Sequence, residues 1–448
     1  MAIPCVGFAQ TYSFPYLRPS DNFAIDNDDN GVYCLYRSSK TKTSTTFLKV
    51  LLDQNLRAID SVEYVLDGNA ELLTSGGNER FTFHAFESKS EGVRFIEFLI
   101  TSKSGKLQYS FRKGAVDIER MFGKHTRVQD VRLEFLSDPD NNILLVKFNE
   151  FRSRDPIMIV AFDMQNGSQL WKSTRGNFNI IQTTDSLVIA LRRFPLGSES
   201  SYSINYFGKQ SGVLIKSMPY NSAGVRPRVI TVMATNGQQL MLVGEEYIKE
   251  AYGKESHFFM TMFDMNGQQI FDKVDTADRM GKHRRHLSGS VFDAQGNLVL
   301  VGEGYRLDAT RMVVSGLATI ALAVATGANT YGYGGLGGPD DRVDFITSAI
   351  ISPEDGEVKQ HWNFPVGPWI GFPSFLTDGK RILIGISNNF LLYKVDAPDV
   401  PPVKFVSLKT REQLVLTSYG PAISYRHSTL KMHTLELLKP LPEPVKKE

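Results

Sequence analysis

The chain has 448 residues, 42% of them hydrophobic and 22% charged, with a net charge of +2. That balance is ordinary for a well-cored protein and excludes a composition-driven attraction to nucleic acid or to an anionic membrane. Its two cysteines, Cys5 and Cys34, exclude a disulfide-dense scaffold and any cysteine-based zinc or iron–sulfur cluster, and leave room for one disulfide.

From the N-terminus, MAIPCVGFAQ (1–10) admits two readings. With small residues at Gly7 and Ala9 it matches the end of an export signal cleaved after Ala9, which would place the protein in the periplasm or outside the cell; otherwise it is a first strand. A series of strand–turn–strand segments follows. The first are NFAIDNDDNGVYCLY (22–36), VLLDQNLRAIDSV (50–62, with no glycine at its turn), TSKSGKLQYSF (101–111) and FLSDPDNNILLVKF (135–148). FDMQNGSQLW (162–171) returns as FDMNGQQIF (263–271), and YFGKQSGVLIKS (206–217) and ISPEDGEVKQHW (351–362) are looser versions. ITVMATNGQQLMLVGEEY (230–247) aligns with GSVFDAQGNLVLVGEGY (289–305), and NIIQTTDSLVIAL (179–191), SFLTDGKRILIGIS (374–387) and KFVSLKTREQLVLTS (404–418) belong to the same set. The Asn-Gly pairs at 166–167 and 266–267 predict type I′ turns, in which both central residues take positive φ.

One unit therefore reads strand A, tight turn, strand B, longer loop, strand C, tight turn, strand D. Second strands fall near residues 32, 81, 143, 187, 240, 298, 382 and 414. A four-stranded repeat of about 40–50 residues predicts an all-β protein of the β-propeller class, because a lone meander cannot bury both faces. Eight A–B pairs favour eight blades. Seven is the alternative, since APDVPP (397–402) makes a poor outer strand. STLKMHTLEL (428–437) leaves the last unit one strand short, and TYSFPYL (11–17) can supply it. The propeller is expected over 11–437 with an apolar insert at 306–345, no useful amphipathic helix outside that insert, and a mobile Pro-rich tail, LKPLPEPVKKE (438–448).

Asp163, Gly167 and Trp171 in FDMQNGSQLW resemble the blade signature of bacterial quinoprotein-like propellers; in the second copy Phe271 stands where Trp would. The resemblance implies the fold. Quinone-binding enzymes of that family also carry adjacent cysteines and metal-binding carboxylates. Cys5 and Cys34 are not adjacent, so neither the quinone nor dehydrogenase activity is carried over, and no cofactor is expected. The chain is also similar to secreted propeller-like proteins of Bacteroidetes.

In a propeller the A–B and C–D turns share one face, and the B–C loops and D–A crossings share the other. The first set is short here and the second long, so a site is expected on the B–C/D–A face. Three features belong there. RMFGKHTR (120–127) and its echo RMGKHRRH (279–286) place Lys124, His125, Arg127, Lys282, His283, Arg284, Arg285 and His286 at D–A crossings. They read as solvated basic loops, or as a rim for a carboxylate, phosphate or acidic polysaccharide; their spacing does not suggest a metal site. VGEEY (243–247) and VGEGY (301–305) put Glu245, Glu303, Tyr247 and Tyr305 at the ends of equivalent B strands. Salt bridging to the basic crossings is the simpler reading, since acid–base work needs two carboxylates with separated pKa values.

The third feature is the insert, uncharged from Met312 to Pro339. Its apolar core, Val313–Ala325, is shorter than the ~20 residues of a membrane-spanning helix. It reads as a channel-capping element, a docking surface for a partner or second copy, or, last, an interfacial segment. Its flanks of mixed charge argue against anionic lipid.

Motifs for a phosphate loop, dinucleotide site, zinc helix or nucleophile elbow are absent. The expectation is an exported, noncatalytic binding or scaffolding propeller that takes a protein or an anionic glycan, without nucleic acid or a transmembrane segment. The alternative is a polysaccharide hydrolase or lyase using Glu245 and Glu303 with His125 or His283.

Overall fold

The computed structural model describes residues 11–16, 23–28, 31–77, 80–123, 126–136, 143–150, 157–173, 178–193, 201–221, 228–235, 237–247, 256–274, 283–293, 295–306, 342–370, 373–377, 381–386, 389–397, 399–409, 412–417, 419–427 and 430–438. Among these, thirty-two strands form eight four-stranded antiparallel sheets, the blades of a β-propeller.

The first strand, β1 (Thr11–Pro15), belongs to the last blade. Blade 1 is β2 (Ala24–Asp28), β3 (Gly31–Lys40), β4 (Ser44–Leu52) and β5 (Ala58–Asp67). Blade 2 is β6 (Asn69–Gly77), β7 (Phe81–Ser90), β8 (Val93–Ser102) and β9 (Leu107–Gly114); a helix, α1 (Ala115–Phe122), follows it. Blade 3 is β10 (Val131–Phe135), β11 (Ile143–Glu150), β12 (Met158–Asp163) and β13 (Gln169–Lys172). Blade 4 is β14 (Phe178–Thr183), β15 (Leu187–Arg193), β16 (Ser201–Gly208) and β17 (Leu214–Asn221). Blade 5 is β18 (Arg228–Thr235), β19 (Gln239–Tyr247), β20 (Ser256–Asp264) and β21 (Gln269–Val274). Blade 6 is β22 (His283–Phe292), β23 (Leu298–Arg306), β24 (Arg342–Ile351) and β25 (Val358–Ile370). Blade 7 is β26 (Pro373–Thr377), β27 (Arg381–Ile386), β28 (Asn389–Lys394) and β29 (Val403–Ser407). Blade 8 is β30 (Glu412–Thr417), β31 (Gly420–His427) and β32 (Met432–Leu437), completed by β1.

The chain divides into two compact units. One holds Met1–Phe194, Ser203–Met218 and Thr410–Glu448; the other holds Pro195–Tyr202 and Pro219–Lys409. In the first, Phe98, Phe111, Val146, Phe148 and Phe162 join blades 2 and 3 around Ile118, Met121 and Phe122 of α1. Leu35, Phe47, Tyr64, Phe86 and Leu99 join blades 1 and 2. In the second, Met241, Met260, Met262, Ala349 and Ile351 join blades 5 and 6, and Val299, Ile346, Ile384 and Tyr393 join blades 6 and 7. Strand alternation turns one face of each blade to either neighbour, which is why these β-rich segments are apolar on both faces.

The repeated wording has a structural cause. An aromatic residue on the outer strand of one blade docks against the glycine turn that precedes the outer strand of the next. Trp171 packs on Gly212 and donates its indole N–H to the Lys209 carbonyl at 2.7 Å. Phe111 packs on Gly167, and Phe271 on Gly356. Tyr64 donates its hydroxyl to the Gly105 carbonyl at 2.6 Å. A Cβ on Gly167, Gly212 or Gly356 would run into the facing ring, and all three have φ between 63° and 71°.

Four expectations are corrected. Gly167 has φ +70°, but Asn166 is not left-handed. The Gly167 N–H donates to the Asp163 carbonyl (2.8 Å), making a four-residue loop rather than a type I′ turn. The type I′ pattern occurs instead at Glu91–Gly92, φ 49° and 84°, between β7 and β8. The segment 404–418 is not one hairpin: β29 is the outer strand of blade 7, so APDVPP precedes that strand rather than forming it, and β30 opens blade 8. An amphipathic helix does exist outside the insert, α1, which buries Ile118, Met121 and Phe122 at helical spacing and ends at left-handed Gly123. Long B–C connections are also confined to blades 3 to 6, at 151–157, 194–200, 248–255 and 307–341; those of blades 1 and 2 are tight. The preference for eight blades and the completion of the last blade by β1 are both found. Residues 1–10 and 439–448 lie outside the described residues.

Candidate functional site

The residues expected at the D–A crossings part company. Lys124, His125 and Lys282 lie outside the described residues. Arg127 is exposed and spends its guanidinium on Asp130, Nε to Oδ2 at 2.7 Å. His283, Arg284, Arg285 and His286 are not in a crossing loop but in β22, paired in register with Arg306, Tyr305, Gly304 and Glu303. The two similar phrases diverge because the first follows an amphipathic run that forms α1, whereas the second is captured by pairing with β23.

Glu245 and Tyr247 lie near the end of β19, and Glu303 and Tyr305 near the end of β23, both second strands of their blades. Backbone register places Glu245 beside Val229 and Phe258, and Glu303 beside His286 and Ile346. The side chains of Glu245, Tyr247, Glu303, Tyr305 and His283–His286 are outside the described set. The insert, 307–341, is likewise outside it, but its ends are fixed. Arg306 and Arg342 are register partners, so the chain leaves and re-enters blade 6 at one point on the sheet.

The described charges at this end of blade 5 centre on Arg228, a residue the sequence reading passed over. It opens β18 and is 8% exposed. Its Nε donates to Glu246 Oε2 at 2.8 Å, and its Nη1 to both Asp272 oxygens at 2.8 and 3.0 Å and to the Tyr220 hydroxyl at 3.0 Å. Thr261 Oγ1 donates to Asp272 at 2.8 Å, and the guanidinium lies 4.5 Å from the Phe259 ring centre. Burial opposes the charge on Arg228, yet the bonds to Asp272, Glu246 and Tyr220 outweigh it and push the guanidinium pKa up. Tyr220 is also pushed up, first by burial. This network ties β18, β19 and β21 together. It fixes the blade rather than presenting a reactive group.

His84 is a second buried titratable group, 1% exposed, with Nδ1 2.6 Å from Ser75 Oγ. Burial, then the charge of Lys49, holds its pKa well below 6.5, so it is neutral. Cys34 is a free, buried thiol pushed up to about 12 by burial, which makes it inert. Among the described residues no group of three His, Cys, Asp or Glu side chains is arranged to hold a metal. No helix among them is long and apolar enough to cross a membrane.

No protein-family model matches the chain, and no curated protein matches it in sequence. Solved structures similar to it include the dihydro-heme d1 dehydrogenase NirN, 9% identical, with a TM-score of 0.44 over 93% of this chain and 73% of that one. The Pan2 WD40 domain of Neurospora crassa is 10% identical, with a TM-score of 0.38 over 83% of this chain and 90% of its own. A quinohemoprotein alcohol dehydrogenase of Pseudomonas putida is 10% identical, with a TM-score of 0.40 over 97% and 78%. At these scores the neighbours select no activity, and the fold rests on the strand topology itself.

Proposed function

We propose that the chain is a noncatalytic binding propeller, exported, which engages a protein or an anionic glycan through the end of its blades that carries the long B–C connections. One observation carries this reading. Arg306 and Arg342 are register partners, so residues 307–341, uncharged from Met312 to Pro339, are an excursion from two strands paired up to its ends. An insertion of apolar sequence between two paired strands suits contact with a partner better than core building. The basic run His283–His286 in β22 of the same blade supplies positive charge for an acidic partner.

Affinity electrophoresis of the full chain through gels containing heparin or polygalacturonate tests the glycan arm of this reading. Retardation that is lost in Arg284→Glu/Arg285→Glu is expected. Release of reducing ends from the polymer, abolished in Glu303→Gln, would replace this reading with that of a polysaccharide-cleaving enzyme.

A further inference from the structure

Between blades 5 and 6 lies an open groove of about 290 Å³ whose walls include Met260, Lys273, Val274, Ile351, Glu357 and Val358. Its origin can be read by comparison with blades 2 and 3, because the two junctions are built alike. Phe111 and Lys113 on β9 correspond to Phe271 and Lys273 on β21, and Gly167 corresponds to Gly356. Both glycines donate an N–H to the carbonyl four residues earlier, Asp163 at 2.8 Å and Ser352 at 2.9 Å, which fixes the alignment. Ile351 therefore stands where Phe162 stands in blade 3. The same position is Phe207 in blade 4 and Phe263 in blade 5, and all three rings are buried.

In blade 3 the Phe162 ring fills the junction. Lys113 lies over it, Nζ 5.2 Å from the ring centre, and donates to the Gly167 carbonyl at 2.7 Å. In blade 6 the isoleucine leaves that volume open, and the neighbouring Phe98 is also replaced, by Met262. Lys273 lines the gap, with Nζ 5.8 Å from the Phe271 ring centre. We infer that this groove is a binding site for a small uncharged aromatic molecule, whose ring takes the place that Phe162 occupies in blade 3. Lys273 would lie against the ring face as Lys113 does, and the Glu357 carboxylate at the rim can accept an N–H or O–H from the ligand. The space is sufficient, since an apolar cavity of about 150 Å³ already admits benzene.

The test uses the full chain labelled with ¹³C-methyl methionine and titrated with indole. The Met260 methyl signal, identified by its loss in Met260→Leu, should shift saturably. Ile351→Phe, which restores the ring, should abolish the shift and raise the melting temperature. Val358→Phe, placed at the exposed rim, should weaken binding at least tenfold without entering the core, and keeps the inference testable if Ile351→Phe does not fold. Lys273→Met should weaken binding by roughly threefold, the scale of one exposed cation–π contact. A Met260 methyl unmoved at millimolar indole, or Val358→Phe binding like the parent, would overturn the inference.

Discussion

Replacing Trp171 by alanine removes a ring packed on Gly212 and an N–H bonded to the Lys209 carbonyl. The expected loss is about 3–5 kcal/mol, as for other buried aromatics, measured by urea unfolding. Gly212→Ala should also destabilise, because the added Cβ meets the same ring at a left-handed φ. His84 gives a pH prediction. Its folded pKa lies below 6.5, so the unfolded chain binds a proton more readily between the two values. Stability from this group is therefore full above 6.5 and is lost as pH falls through the folded pKa. Melting temperatures followed from about pH 7 to pH 5 should fall less for His84→Asn than for the parent chain, and parallel curves would refute the assignment. At this scale the sequence was partly legible. Asp163, Gly167 and Trp171 stood out because the turn of blade 3 needs a capping residue and a left-handed glycine, and its outer strand an aromatic that docks on the next blade. Arg228, Glu246 and Asp272 did not, because a charge triad drawn from three strands leaves no local pattern.

The strands were readable as elements because β-rich runs recur in turn-linked pairs, many of them buried along most of their length, as in β3, β8 and β12. Their ends were less so. Asn-Gly suggested a two-residue turn, yet the outer strands begin with a register shift, between Ala161 and Phe162 in blade 3 and between Met262 and Phe263 in blade 5, which loops of four and three residues accommodate. The hairpin at 50–62 does without glycine by placing Leu56 at φ +56°, held by the Asp53 side chain, which accepts from the Asn55 and Arg57 N–H groups at 2.8 Å. Two elements carry predictions. Arg228→Ala would leave Glu246 and Asp272 facing each other without their cation, at a cost of about 3 kcal/mol in chemical denaturation. Deleting residues 1–16 removes β1, whose Phe14 is buried and stacks on Tyr36 (4.7 Å) and His433 (5.4 Å). Hydrogen exchange over 432–437 should accelerate in that variant because β32 becomes an open edge; unchanged protection would contradict the pairing.

At the level of the whole chain, the eight-bladed class followed from the spacing of hairpins, and the structure bears it out. VGEGY lies in the second strand of its blade, and the strand that follows it in sequence pairs with it after a one-residue register shift at Gly304/Tyr305. What a partner contacts was not legible, because the candidate residues are loop and strand-end positions whose use depends on the partner rather than on the fold. The binding role rests on the excursion between Arg306 and Arg342 being separable from the blade that carries it. Replacing 312–339 with a short Gly-Ser linker, and measuring co-purification of a partner from the native extract alongside thermal unfolding, tests this most directly. The account predicts an unchanged melting temperature with partner capture lost. Capture equal to that of the full chain, or collapse of the fold, would contradict it.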